Sequence, residues 1–530
     1  MARVLPVSVL LLLLWLQFVF DSVCVAVEVE IVALTGEMAP GTDARFSRIF
    51  QSREKNLNNQ GQFVLRGELV GDGVERANDI GIWVYDPDTG LSQLVREGDA
   101  VPNSGGQFRS FSTHALNDNG ELIFSGYVNG DNTVNTAIWG HVINTSGVSE
   151  VVRGADIAQV DNLSFAHFRK INIGDNGTVV FLGEMDDFLD REGIWRRDGS
   201  GNVELVAMEK KEAPGTSANY SSFGGYSANE LGQIVHRSGL SDVNGGGSQN
   251  SGLWRDGLGG LELLARHGGS APGTTAKFLG FGDTVEMNSH GQVVFNAVLM
   301  GDGVNGTNSS GIWKGQSGGS LELFMRSGNI RVPGADGKFG TFSDIAQNKW
   351  GRVVFSSTIE SSDKHESGIW SEKQDGSLSL IALEGQNAPG VNLPFRDLPG
   401  GPLAVNGKDQ VAFFAGVLDP DVLPRPIEVF GIWAQDIHGD LQLIVSDGDV
   451  IDVSSDPATP DLRTIAVLDF NPTNFNDAGQ LLFTAYFMDG TSGIFISNAV
   501  AVPEPQSIIL VVLCSFFSRR INLRRNVHLS

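Results

Sequence analysis

The chain has 530 residues, 41% of them hydrophobic and 67 of them glycine, and its net charge at pH 7 is −25. A surface this acidic repels nucleic acids and other polyanions, so the composition argues against a nucleic-acid partner. The two cysteines, Cys24 and Cys514, lie near the chain ends. The body between them therefore has no disulfide framework, no zinc site built on cysteines and no cysteine nucleophile.

The first 26 residues are typical of a secretory signal. Arg3 gives the positive start, Leu5 to Phe20 the apolar stretch, and Cys24-Val25-Ala26 a small-x-small cleavage site. A lipoprotein signal with Cys24 acylated is the weaker interpretation, because Val23 is a poor residue before a lipidated cysteine. We therefore expect residues 1–26 to be a signal peptide and the protein to be exported through the inner membrane.

A tripeptide, Gly-Ile-Trp or a near copy of it, recurs along the rest of the chain at intervals of 56 to 63 residues. The copies end at Trp83, Trp139, Trp195, Trp254, Trp313, Trp370, Trp433 and Phe495. So regular a period indicates one structural unit copied end to end. A residue that repeats with the period of the fold is usually core, which favours a packing role for these tryptophans over sugar stacking.

Four other landmarks keep phase with the tripeptide and predict four antiparallel strands per unit. An aromatic pair such as Phe108 and Phe111 leads into an Asn turn such as Asn58–Gly61, and an apolar strand follows the turn. After Gly-Ile-Trp come an alternating strand such as Leu321–Phe324 and a turn such as Ala213-Pro214-Gly215. A unit of about 60 residues with four strands has the size of a propeller blade.

The phase of the copies favours a ring. Eight turns open the second strand of a unit, at Asn58, Asn117, Gly174, Asn229, Asn288, Asn348, Asn406 and Asn476. The alternating strand occurs once before the first unit, at residues 29–33, and is missing after the last, which ends at Ile496. We therefore predict an all-β, eight-bladed β-propeller over residues 27–501 that the N-terminal strand closes. A β-solenoid or two smaller propellers are the alternatives.

The loop between the second and third strands carries an aspartate in every unit. These are Asp72, Asp131, Asp186, Asp242, Asp302, Asp363, Asp419 and Asp489. In a ring they would share one face, and oxygen ligands suit hard cations such as Ca²⁺. Exposed hairpin loops are rich in Asp and Gly in any case, and no EF-hand spacing is present. Ca²⁺ is thus the one cofactor that the sequence suggests, and no catalytic residue is identified.

The C-terminal segment has a pattern of its own. Val502-Pro503-Glu504-Pro505 precedes a largely apolar run, Ile508 to Phe517, and the arginine pairs Arg519-Arg520 and Arg524-Arg525. Residues 502–530 resemble the PEP-CTERM sorting signal of Gram-negative bacteria. The body resembles one of the uncharacterised secreted propeller-type repeat families that carry such tails. The resemblance implies an exosortase-type membrane protease as partner and delivery to the cell surface or the extracellular matrix.

The apolar run of this segment is about ten residues, short of the roughly 20 that a membrane-spanning helix needs. A short anchor that is never processed is therefore the alternative to sorting and cleavage. In either case we expect contact with the membrane only through this tail.

Together these features predict a secreted, non-enzymatic binding or structural module of the envelope or extracellular matrix, with glycan or matrix partners. One alternative is an extracellular carbohydrate-active hydrolase or lyase, whose site would break the repeat. The irregular stretches Asp419–Phe430 and Asp447–Leu468 are where we would expect such a site. The other alternative is a Ca²⁺-dependent adhesive module built on the aspartate loops.

Overall fold

The body of the chain is built from short β-strands joined by tight turns. A computed structural model describes residues 29–129, 136–154, 163–186, 191–241, 251–257, 259–316, 318–360, 365–391, 393–398, 401–419, 427–454, 456 and 458–501. Within these segments there are 34 strands and no α-helix. Accordingly, no helix in the described part is long and apolar enough to cross a membrane. The expected signal peptide and tail, residues 1–26 and 502–530, lie outside the described residues.

The strands form eight sheets, which we call blades 1 to 8 in chain order. The chain starts with β1 (Val29–Leu34). Blade 1 contains β2 (Arg45–Phe50), β3 (Phe63–Val70), β4 (Ile80–Asp86) and β5 (Gly90–Arg96). Blade 2 contains β6 (Gln107–Leu116), β7 (Glu121–Asn129), β8 (Thr136–Val142) and β9 (Ser149–Arg153). Blade 3 contains β10 (Phe165–Ile173), β11 (Val179–Met185), β12 (Glu192–Arg197) and β13 (Val203–Met208). Blade 4 contains β14 (Asn219–Ala228), β15 (Ile234–Ser241), β16 (Ser251–Gly257) and β17 (Gly260–Arg266).

The second half of the ring repeats the plan with two departures. Blade 5 contains β18 (Lys277–Met287), β19 (Val293–Met300), β20 (Ser310–Gly315) and β21 (Leu321–Arg326). Blade 6 contains β22 (Lys338–Gln347), β23 (Val353–Glu360), β24 (His365–Glu372) and β25 (Leu378–Leu383). Blade 7 contains β26 (Phe395–Asp397), β27 (Leu403–Val405), β28 (Val411–Asp419), β29 (Ile427–Gln435) and β30 (Leu441–Ser446). Blade 8 contains β31 (Val450–Asp452), β32 (Leu462–Phe475), β33 (Leu481–Phe487) and β34 (Ser492–Ser497).

Within each blade, strands adjacent in sequence pair antiparallel, and the eight sheets form a ring. The prediction of an eight-bladed propeller is confirmed. In blade 7 the first strand is split, and both β26 and β27 pair with β28. In blade 8 the additional short strand β31 pairs with the start of β32, and this accounts for most of the irregular stretch that begins at Asp447.

The first and last strands of the described chain close the ring. β1 pairs antiparallel with β34, with Ile31 opposite Phe495. Just beyond this ladder, the Thr35 hydroxyl donates to the Ser492 carbonyl at 3.1 Å, and the Ser492 N–H donates back to it at 2.8 Å. The N-terminal strand thus supplies the outer strand that blade 8 lacks, as predicted, and covers a sheet edge that would otherwise be open.

In blade 1 the repeated landmarks pack around the tryptophan of the tripeptide. The Trp83 ring meets Phe46 edge-on, with 4.9 Å between ring centroids, and its Nε1 donates to the carbonyl of Pro40 at 3.0 Å. A Cβ on Gly81 would lie 2.8 Å from the Trp83 ring, which explains the glycine in blade 1, whereas blade 2 has Ala137 at the same position. The same bond to a proline carbonyl recurs at Trp254, Trp313, Trp370 and Trp433.

The core lies between the blades. Val64 and Ile82 of blade 1 pack in one cluster with Phe108, Phe111 and Trp139 of blade 2. At the closing junction, Leu482 and Ile494 of blade 8 pack with Phe46 and Trp83 of blade 1. The repeated tryptophans are therefore core residues, as their period predicts.

Candidate functional site

A cavity lies on the axis of the ring and is lined by the first strands of the blades or the segments that follow them. Its volume is about 510 Å³, and blades 1, 3, 4, 5, 6 and 8 contribute to it. A second cavity of about 390 Å³, lined by blades 5 to 8, shares Glu286, Gln347 and Thr473 with the first. Together they form a central channel of a size that suits a small ligand or one unit of a longer chain.

A belt of asparagine amides surrounds this channel on the face where the turns between first and second strands lie, which we call the turn face. Asn58 is typical: its Oδ1 accepts from the N–H groups of Gln60 and Gln62 at 3.0 and 2.9 Å. Its Nδ2 donates to the carbonyl of Asn117 in the next blade at 3.2 Å. Equivalent bonds run from Asn117 to Gly174, Asn229 to Asn288, Asn348 to Asn406, Asn406 to Asn476 and Asn476 to Asn58. The asparagine both shapes its own turn and links neighbouring blades.

The residues that follow these asparagines form a charged inner ring at the channel mouth. The Asp118 carboxylate accepts from the Asn59 N–H at 2.9 Å, and Asp175 accepts from the Asp118 N–H at 2.9 Å. Two lysines offset the negative charge, because Lys55 pairs with Asp118 at 2.7 Å and Lys349 pairs with Asp477. The mouth is thus polar and carries both signs of charge.

Three carboxylates of this inner ring lie close enough to share a cation. Oxygens of Asp118, Asp175 and Glu230 all lie within 4.8 Å of one another, and the three side chains are half-buried. Burial raises the pKa of Asp175, and the neighbouring charge of Asp118 adds to the rise. The donor set is chemically suited to a hard cation such as Ca²⁺.

The described aspartates among the predicted metal ligands lie elsewhere. Their loops join second to third strands, so they lie on the opposite face, which we call the loop face. Asp72, Asp186, Asp302 and Asp489 are exposed, and none belongs to the carboxylate group above. Asp419 ends β28, whereas Asp131, Asp242 and Asp363 lie outside the described residues. Asp489 accepts from the Thr491 N–H at 2.9 Å and thereby shapes its own turn.

The channel wall carries titratable groups at positions that differ from blade to blade. Lys170 adopts a φ of +45° at a bulge in β10, a left-handed conformation that costs a lysine about 1 kcal/mol. Its ammonium group donates to the carbonyl of Gly224 at 3.0 Å and lies 5.9 Å from the centre of the Tyr226 ring. Burial raises the pKa of Tyr226 well above its usual value, and Glu54 adds to the rise.

Glu286 extends this cluster into the next blade. Burial raises its pKa to about 7, and a hydrogen bond of 3.5 Å from the Ser227 hydroxyl opposes the rise. Lys170, Tyr226 and Glu286 all line the larger cavity. The channel therefore holds a carboxyl group that can bind or release a proton near neutral pH.

Comparison with known proteins places the chain in a family. Residues 25–261, 236–367 and 360–509 match the group described as "Family of unknown function (DUF7453)". The chain belongs to the DUF7453 family. No functionally curated protein matches this DUF7453 member.

Solved structures match this DUF7453 protein at low sequence identity and low TM-score. One is the periplasmic gluconolactonase PpgL of Pseudomonas aeruginosa (14% identity, TM-score 0.29, 74% of this chain and 96% of that chain). Another is a polysaccharide lyase described as a PL25 ulvan lyase (12%, 0.32, 74% and 92%). A third is a eukaryotic initiation factor (10%, 0.40, 88% and 90%).

One exposed aromatic residue of the turn face does not follow the repeat. Trp350 is the tryptophan of the body that is out of phase with the repeat, and it lies in the turn that follows Asn348. It is 58% exposed, whereas the seven repeated tryptophans are at most 1% exposed. Its isolation from the period was the signal in the sequence that could have marked it.

Two histidines of the body lie in the core. Scattered histidines are usually exposed, but His114 and His236 lie within strands and are fully buried. Burial lowers the pKa of each to about 3, so both are neutral in the folded protein. His236 stacks on Trp254 with 12° between the ring planes, as Phe295 stacks on Trp313. Both histidines therefore pack in the core and do not line the channel.

Proposed function

We propose that this DUF7453 protein is a secreted, surface-sorted propeller that acts as a non-enzymatic binding module of the envelope or extracellular matrix. We place its binding surface at the channel mouth on the turn face. The observation that carries the proposal is the central cavity, into which different blades bring different polar side chains although the blades themselves are alike. Variation at a concave surface of a regular scaffold is typical of recognition.

The proposal includes export and sorting, which rest on the sequence. Residues 1–26 would direct secretion, residues 27–501 would form the exported body, and residues 502–530 would be recognised by an exosortase-type protease. Replacing Pro503, Glu504 and Pro505 by alanine tests the last step by cell fractionation. We expect the variant to remain in the membrane fraction at full length, whereas surface release at the wild-type level would overturn the sorting proposal.

The binding proposal is tested by filling the channel. Thr473 borders both cavities and is exposed, so Thr473→Trp would obstruct the channel from blade 8. Thr307→Trp is the matched control, because Thr307 is an exposed threonine on the loop face. We expect retention of the purified protein on matrix material to fall with Thr473→Trp and to persist with Thr307→Trp. Equal retention of both variants would exclude the channel as the binding site.

A second candidate function is that of an extracellular carbohydrate-active hydrolase or lyase. Lys170, Tyr226 and Glu286 favour it, because they break the repeat in one cavity and Glu286 has a pKa of about 7. Degradation of a polysaccharide panel by the wild type but not by Glu286→Gln would support it. A panel that stays intact with and without Ca²⁺ would exclude it.

A third candidate is a Ca²⁺-dependent adhesive module. The carboxylates of Asp118, Asp175 and Glu230 supply a group compatible with Ca²⁺, and the loop-face aspartates remain the second candidate set. Melting temperature distinguishes the two sets, because a cation that binds only the folded state stabilises it.

A further inference from the structure

Trp350 shares its structural role with residues that are not aromatic. Its indole N–H donates to the carbonyl of Gly407 in blade 7 at 3.0 Å. At the same position of other turns, Gln60 and Asn119 make the corresponding bond to the next blade with their amides, at 2.9 and 2.6 Å. An amide therefore suffices for the link between blades. The large exposed ring of Trp350 is not explained by this link.

The bond to Gly407 also fixes the ring in place. The imidazole of His290 lies beside it, with 5.9 Å between ring centroids and 41° between planes. His290 is itself held by its Nδ1, 3.1 Å from the carbonyl of Lys349. A ring with a fixed orientation loses little conformational entropy when a ligand stacks on it.

The exposed ring adjoins the channel lining in sequence. The residues just before Trp350 and His290 are Lys349 and Ser289, and both line the larger cavity. In blade 4 the corresponding turn position is Leu231, which is 51% exposed. Three successive turns therefore place apolar or aromatic side chains around one side of the polar mouth.

This combination indicates the chemistry of the ligand. A sugar ring has an apolar C–H face that stacks on an indole and hydroxyl groups that pair with polar side chains such as those of Ser289 and Lys349. A folded protein partner needs about 800 Å² of its surface buried, far more than three side chains offer. The net charge of −25 disfavours a polyanion.

We propose that Trp350 is the stacking platform of a sugar-binding subsite, at which a largely uncharged polysaccharide chain enters the channel mouth. This inference rests on the proposed binding function and specifies its ligand as a glycan. His290 supports the platform, and the polar groups at the mouth bind the neighbouring sugar unit.

The location of Trp350 permits a direct test by fluorescence. The seven repeated tryptophans are buried and Trp15 lies in residues 1–26, so acrylamide quenching of the purified body, residues 27–501, reports mainly on Trp350. The probes are dextran, a neutral galactan, alginate and chitosan. We expect dextran or the galactan to bind and to protect the fluorescence from acrylamide. Trp350→Ala should weaken that binding about tenfold or more, and Trp350→Phe should retain most of it.

Met488→Ala serves as the control, because Met488 is 71% exposed on the loop face, and it should bind as the wild type does. Polysaccharide binding that is unchanged in Trp350→Ala would overturn the role of Trp350 as the stacking platform and leave the proposed binding function intact. Retention on matrix material without affinity for any of the four probes would overturn the glycan assignment alone. Dimerisation that depends on Trp350 would show a second copy of this chain as the occupant and overturn the inference.

Discussion

The side-chain amide of Asn476 donates to the backbone carbonyl of Asn58 at 2.8 Å, across 418 residues of sequence. This bond closes the asparagine belt next to the channel, while β1 and β34 close the same ring at its outer edge. The two closures lie at different radii and use different chemistry, since one is a side-chain bond and the other a backbone ladder. Replacing Asn476 and removing β1 therefore test the two closures separately.

Asn476→Ala should destabilise the protein by about 1–2 kcal/mol, because it leaves the buried carbonyl of Asn58 and the N–H of Gln480 without the amide. Urea unfolding measures the change. Asn119→Ala is the control, because the Asn119 amide makes an exposed bond to Asp175, and its loss should cost less than about 0.5 kcal/mol. Similar losses in the two variants would show that the belt contributes nothing particular to closure.

A chain that starts at Gly36 should lose the strand that covers β34. The burial of Ala33 and Leu34 and the partial burial of Ile31 would disappear, at a cost on the order of 5 kcal/mol. We expect a lower melting temperature and concentration-dependent aggregation by light scattering, because an open edge invites pairing with other chains. A synthetic peptide of residues 27–35 should reverse both effects. A truncated protein that stays monomeric with unchanged melting would contradict closure by β1.

The buried histidine His236 should make stability depend on pH. Its pKa is about 3 when folded and 6.5 in the unfolded chain, so below pH 6.5 the unfolded state binds the extra proton. Stability from this group is complete above pH 6.5 and falls by about 1.4 kcal/mol per pH unit towards pH 3. Glu286, with a raised pKa, acts in the opposite direction, so a difference between variants is the appropriate measurement.

The double variant His236→Phe, Ser238→Ala provides that difference. It reproduces the pair Phe295 and Ala297 of blade 5 and leaves no buried hydroxyl without its partner, because Ser238 pairs with His236 at 2.7 Å. Urea unfolding at pH 8 and pH 5 should show the variant gaining stability relative to the wild type as the pH falls. If the difference in unfolding free energy between variant and wild type did not change with pH, His236 would not be held neutral in the folded protein.

Asp175→Asn tests the carboxylate group at the channel mouth. Asparagine keeps an oxygen that can accept from the Asp118 N–H but removes one of three crowded negative charges. In EDTA the variant should be more stable than the wild type by about 0.5–1 kcal/mol. Millimolar Ca²⁺ should raise the melting temperature of the wild type and narrow this difference.

Asp72→Asn is the matched substitution on the loop face, and it should change melting in neither condition. If Asp72→Asn, and not Asp175→Asn, removed the effect of Ca²⁺, the cation would lie on the loop face. Unchanged wild-type melting across millimolar Ca²⁺ would exclude a calcium-dependent module.

The sequence predicted the architecture because the features that define a blade recur in one dimension. The period of Gly-Ile-Trp, the Asn turns and the early copy of the alternating strand suffice to count the blades and to show that β1 belongs to blade 8. The aromatic pair is equally informative, since Phe46 packs against Trp83.

The candidate site was harder to predict, because its residues meet only when the ring closes. Asp118, Asp175 and Glu230 are separated by more than 50 residues at each step, and their turns look like ordinary hairpin turns in sequence. Lys170 owes its position to a bulge with a positive φ, and a lysine in the sequence does not predict such a bulge. The aspartates of the loop face recur with the period and can be found in the sequence, whereas the channel groups follow no period.

The central claim is that ligands bind at the channel mouth on the turn face, and amide hydrogen exchange in the presence of matrix material tests it most directly. We predict slower exchange in the turns at residues 286–292, 347–351 and 406–410, which surround the mouth, with no change in the loops at residues 71–78 and 301–308. Slower exchange confined to those two loops would place binding on the loop face and contradict the account.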